Sequence, residues 1–111
     1  MTSKVKKYLL DILEAIQSIE NYIEHADFFQ YQQNKMMRRA VERELEIIGE
    51  ALNALLKIET EVQISGSERI IGMRNRVIHG YDKIDDGIVW GTIKRHLPVL
   101  KNEVYELLKS I

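Results

Sequence analysis

Apolar residues recur three and four positions apart through almost the whole chain, and this spacing restricts the fold more than any other feature. From Ser3 to about His25 they fall at Val5, Tyr8, Leu9, Ile12, Ala15, Ile16, Ile19, Tyr22 and Ile23. At about 100° of rotation per residue, such positions form one stripe of a long helix. Thr2 or Ser3 can cap its start by accepting an orphan amide hydrogen. No segment alternates with period two, and neither an internal repeat nor a low-complexity tract interrupts the pattern. The reading is all-α.

The remaining segments follow the same rule. Ala26 to Gln33 breaks the stripe and predicts a turn, with a short helical turn holding Phe28 and Phe29 inward. Asn34 is a cap for a second long helix reaching about Ile58, with its stripe at Met37, Ala40, Val41, Leu45, Ile48, Leu52 and Leu55. Gly49 lies inside that helix, where glycine costs about 1 kcal/mol relative to alanine. A tight helix crossing and simple tolerance are both open there. After a loop, Ser65 and Glu68 have capping-box spacing and predict a shorter third helix from near Gly66, ended by Gly80 in the C′ position. Asp85 or Asp86 caps a last helix striped by Ile88, Val89, Ile93, Leu97, Leu100, Val104, Leu107 and Leu108, which Pro98 should kink or split. The expected architecture is a single 1–111 domain, an up-and-down bundle of four main helices. Long amphipathic helices often bury more than one face, so a symmetric homodimer is expected as well.

Composition narrows the function. Sixteen Lys and Arg against seventeen Asp and Glu leave a net charge of −1, so a polyanion must be held by a local basic patch rather than by bulk attraction. With no cysteine in the chain, thiolate chemistry, thiolate metal sites and disulfides are excluded. The N-terminal segment leads into amphipathic sequence without an apolar run of membrane-spanning length. A cytoplasmic protein with no membrane association is the expectation.

One stretch concentrates reactive groups: Arg74-Asn75-Arg76-Val77-Ile78-His79-Gly80-Tyr81. Asn75 and His79 are four apart and share a helix face, whereas Arg74 and His79 are five apart and about 140° around an ideal helix. They can converge if the helix unwinds at His79 and Gly80, or if two copies of the stretch face each other across a symmetric interface. The second arrangement puts two histidines and two arginines around one cleft. Such a set suits metal-free cleavage of RNA. A neutral histidine takes the 2′-OH proton, the oxygen attacks phosphorus, and Arg74 stabilises the charge developing on the phosphate. Asn75 can orient the imidazole or bind phosphate. On spacing alone a bland reading stands beside this one: His79 capping the last carbonyls of its helix, Tyr81 as a half-buried loop anchor.

The pattern Arg74-Asn75-x-x-x-His79-x-Tyr81 resembles the signature of the HepT toxins, within the wider HEPN superfamily. Leu45-Glu46-Ile47-Ile48-Gly49-Glu50-Ala51 is similar to the family's second-helix block. Met73 through Asp82, then Ile88-Val89-Trp90, Ile93 and His96-Leu97-Pro98, track its third and fourth helices in order. The resemblance implies an all-α homodimer with a composite ribonuclease site at the subunit interface, in which Arg74 and His79 match the catalytic pair and Asn75 the accompanying polar position. It further implies the toxin of a type VII toxin–antitoxin pair, encoded beside a minimal nucleotidyltransferase antitoxin, MntA. In the family that partner adds AMP to the motif tyrosine, here Tyr81. Bulky negative charge beside a phosphate pocket blocks RNA by sterics and like-charge repulsion. The competing reading is a non-catalytic helical subunit that presents nucleotide or substrate to such a transferase.

Other candidates weigh less. Arg69, Arg76 and Lys83 flank the motif and are candidates for phosphate contacts, against a solubilising surface role. Met36-Met37-Arg38-Arg39 with Arg43 forms a basic spot diluted by Glu42, Glu44 and Glu46, and reads better as a solvated face. Trp90, Phe28 and Phe29 read as packing. His25 and His96 lack ligand partners at helical spacing, so neither a metal nor a cofactor is assigned.

Overall fold

The computed structural model describes residues 3–60, 62–79 and 85–110, with backbone but not side-chain placement for 74–79. All of its regular elements are helical. Helix α1 (Ser3–Ile23) and helix α3 (Lys35–Ile58) form the central layer. Leu9, Ile12, Ile16 and Ile19 of the first, with Val41, Leu45, Ile48, Leu52 and Leu55 of the second, are buried almost completely. These are the stripes anticipated from spacing, and each large side chain so buried contributes roughly 1.5–3 kcal/mol. Asn34 caps α3 as expected, its side chain accepting the Met37 amide at 2.9 Å. Gly49 is buried within this helix.

Between those two lies α2 (Phe28–Gln33), a six-residue helix started by a capping box of Asp27 and Gln30. The cap fixes which side chains turn inward. Phe28 is half-buried and Tyr31, three residues on, is fully buried, whereas Phe29 is 67 % exposed. The expectation that both phenylalanines face inward is therefore corrected. Residues 28 and 31 share a face, and residue 29 is turned about 100° away.

Helix α4 (Ser67–His79) packs on α3, burying Ile70 and Met73. Its start differs from the predicted capping box. The Gly66 carbonyl accepts the Ile70 amide at 3.2 Å, and Gly66 adopts φ +71°, so the glycine rather than Ser65 stands at the cap. The Ser65 amide is bound instead by the Glu103 carboxylate, at 3.1 and 3.2 Å.

The last predicted helix is divided. Helix α5 (Asp86–Gly91), capped by Asp85, runs into a π-helical turn (Thr92–His96) and then α6 (Leu97–Lys109). Pro98 explains the division. It has no amide hydrogen to give to the carbonyl four residues back. The widened turn lets the Leu97 amide bond to Thr92, five residues back, so the chain stays helical without a sharp break. Buried Thr92 is satisfied by donating from Oγ1 to the Ile88 carbonyl at 2.9 Å. Helix α6 returns to α1 through Leu100 and Val104, and Lys101 pairs with Glu20 at 2.9 Å. The four main helices are thus α1, α3, α4 and the composite α5–π–α6. No described helix is long and apolar enough to cross a membrane.

Candidate functional site

The motif is carried by the second half of α4. Its backbone is helical through His79, so the ideal offset of about 140° between Arg74 and His79 applies. Unwinding at His79 and Gly80 involves Gly80, which lies outside the described residues. The side chains of Arg74, Asn75, Arg76 and His79 lie outside the described set, and Gly80, Tyr81 and Lys83 lie outside the described residues altogether.

Arg69 is the predicted phosphate contact whose side chain is described. It is exposed, and it lines an open pocket of about 500 Å³ with Asp85, Gly87, Ile88, Gly91, Arg95 and His96. Three segments build this pocket: the first turn of α4, the start of α5, and the π turn. Arg69 and Arg95 form no ion pair among the described residues. Asp85 contributes one carboxylate, and its Oδ1 already accepts the Ile88 amide at 3.1 Å. Among the described residues, two guanidinium groups face one partly engaged carboxylate there.

Glycines shape the wall. A Cβ on Gly91 would stand 2.6 Å from Nη2 of Arg95, so a side chain there would require the flexible end of that arginine to shift. A Cβ at Gly66 would stand 3.8 Å from Nδ1 of His96. Gly72, one turn beyond Arg69 on α4, has nothing within 4 Å of where a Cβ would project. The surface of α4 next to Arg69 is therefore open at Gly72.

The other candidates resolve into structure. Arg39 pairs with Glu42 and Arg43 with Glu46, each at 3.1 Å, and Arg38 donates to the Gln32 carbonyl. The basic spot on α3 is a locally neutralised face, as read from its diluting glutamates. Trp90 stacks at a tilt on Tyr31 (5.3 Å) and Phe28 (6.0 Å), with Lys94 Nζ 4.9 Å from its ring centre. This is packing, as expected. His25 is exposed, 3.8 Å from Glu24. Sequence reasoning missed Arg95, and weighed His96 only as a metal ligand. The available signal was Gly91 four residues before Arg95, a missing side chain one turn before a cation.

Comparison with known proteins follows this geometry. A family model described as "Ribonuclease HepT-like" matches residues 12–107. A Methanocaldococcus jannaschii protein named "Putative RNase MJ1216" is 34 % identical over 108 residues, covering 96 % of this chain and 89 % of that protein. A Thermococcus cleftensis protein named "Probable ribonuclease HepT" is 36 % identical over 108 residues, covering 94 % and 96 % respectively. No solved structure matches the chain.

Proposed function

The chain belongs to the HepT-like ribonuclease family, and on that premise we propose that it is a metal-independent endoribonuclease toxin acting as a homodimer. What supports the dimeric site is the helical backbone from Ser67 to His79, on which positions 74 and 79 are about 140° apart around an ideal axis. A second copy supplies the missing half of the pair. In the composite cleft, the imidazole of His79 from one chain accepts the proton of a ribose 2′-OH. The freed oxygen attacks the neighbouring phosphorus, and the bond to the 5′ oxygen breaks. A protonated His79 from the other chain hands that leaving oxygen its proton. Arg74 stabilises the extra negative charge on the non-bridging oxygens, and Asn75 orients the imidazole. The products are a 2′,3′-cyclic phosphate and a free 5′-OH.

Regulation follows the same electrostatics. A nucleotidyltransferase antitoxin of the MntA kind transfers AMP from ATP to the Tyr81 hydroxyl, releasing pyrophosphate. The added phosphodiester puts negative charge where RNA phosphate must enter.

The test is RNA cleavage by the purified protein in EDTA, with product ends analysed. Wild type should leave cyclic phosphate ends. Arg74→Ala and His79→Ala should each lower cleavage strongly, and a mixed dimer of wild type with His79→Ala should stay impaired, because the cleft draws one imidazole from each chain. Nucleotide binding without any RNA cleavage would instead favour the non-catalytic subunit.

A further inference from the structure

We propose that the pocket between α4 and the π turn is a second RNA-binding subsite, in which Arg95, with Arg69 and His96, holds a backbone phosphate of the strand some nucleotides from the scissile bond. The inference rests on the ribonuclease reading for the identity of its ligand, but the pocket itself stands on described side chains. Its guanidinium groups have no ion-pair partner among the described residues, and they converge from two separate helical segments on one open cavity. Arg39 and Arg43 on α3, by contrast, each pair with a glutamate three residues on. Arg95 is placed otherwise: Gly91 clears the space its guanidinium occupies, and a methyl group there would displace it. The segment carrying it is a π turn, a rare conformation that concentrates at functional sites.

The placement suits an extended strand. Arg69 and His79 are separated by ten residues of continuous helix, about 15 Å along its axis at 1.5 Å per residue. A single strand laid along α4 from the scissile phosphate would pass position 76 and the open ground at Gly72, and reach the Arg69–Arg95 pocket a few nucleotides away. The subsite reads phosphate rather than base, so it raises affinity for any sequence of sufficient length.

Binding of a 2′-O-methyl oligoribonucleotide, which cannot be cleaved, is the measurement, by fluorescence anisotropy across a salt series. Arg95→Ala should weaken binding about tenfold, the loss expected for a charge-assisted contact. It should also lower the slope of log affinity against log salt by about 0.7, one phosphate contact fewer on a single strand. Gly91→Ala should weaken binding in the same direction while keeping the thermal unfolding midpoint, since alanine is the better helix former. On cleavable RNA, Arg95→Ala should raise KM with kcat unchanged for long substrates and have no effect on substrates too short to reach the pocket. Unchanged affinity and salt slope in Arg95→Ala would overturn the subsite. So would a pocket that binds ATP or AMP through Arg95 while RNA binding ignores that residue. Failure of the two proposals is separable: wild-type binding that depends on Arg95 without cleavage removes the nuclease reading alone, and cleavage with Arg95-independent binding removes the subsite alone.

Discussion

The seam between α1 and α3 and the flank where α4 meets the π turn are built on opposite principles. In the seam, isoleucines and leucines from both helices interdigitate with almost no exposed surface. Along the flank, Gly66, Gly72, Gly87 and Gly91 withhold side chains, and guanidinium groups without an ion-pair partner among the described residues face an open cavity. Close packing stabilises a bundle but leaves no room for a substrate. A cationic groove gives up packing and accepts like-charge proximity, which stability alone would not select. The contrast assigns the two regions different work: one holds the helices in place, and the other is left free to receive an anion.

The sharpest way to break that division is to show that the flank also governs folding. His79→Ala should lower RNA cleavage by a factor of about 10² to 10⁴, the range for losing a general acid–base group, with an unfolding transition close to wild type. A collapse of the fold in that variant would merge the two regions. In the seam, Leu52→Ala should cost about 2–5 kcal/mol through the lost contacts and the cavity left behind. Urea unfolding checks it, and cleavage per folded molecule below the transition should be unchanged.

Asp85→Ala tests both regions at once. Losing the cap on α5 should cost about 0.5–2 kcal/mol. Removing the pocket's carboxylate should at the same time strengthen RNA binding. A variant that weakens both would show that the cap, not the charge, sets the pocket. The smallest effect is expected at Tyr31, which is fully buried and whose hydroxyl has no hydrogen-bond partner among the described residues. Tyr31→Phe should change stability at neutral pH by less than about 1 kcal/mol or raise it, because an orphaned polar group is removed and the ring is kept. Burial, then the nearby Glu42 and Asp86 carboxylates, push the Tyr31 phenol above its ordinary value of 10.0. The unfolded chain therefore releases this proton first as pH rises past 10. The wild type should lose stability there, and Tyr31→Phe should lose less.

Much of the seam was legible from spacing, because α1 and α3 are long enough for a stripe to repeat several times and to outvote local exceptions. Asn34 was legible as a cap, and Asp85 as one of two candidates with Asp86, for a local reason: their side chains satisfy amides three residues on. Short elements were harder. In α2 the phase is set by the Asp27–Gln30 box, and without it Phe28 and Phe29 look equivalent. At α4 the spacing of Ser65 and Glu68 suggested a cap, but Glu103, distant in sequence, takes the Ser65 amide and Gly66 takes the cap position. The Arg74–Tyr81 stretch was legible as a motif, because its residues are adjacent in the chain. The Arg69–Arg95–His96 pocket was not, since its walls meet only after the last helix folds back toward α4.

The π turn also sets the angular phase of everything after it. It holds one residue more than an α-helical turn within about the same rotation, so deleting a single position between Thr92 and His96 should close the wide turn to an ordinary one and leave Leu97, Leu100 and Val104 facing the core. The same deletion between Leu97 and Leu100 would instead rotate the rest of α6 by about 100° and swing Leu100 and Val104 outward together. A change in length is therefore absorbed more easily in the widened turn than in the helix that follows it.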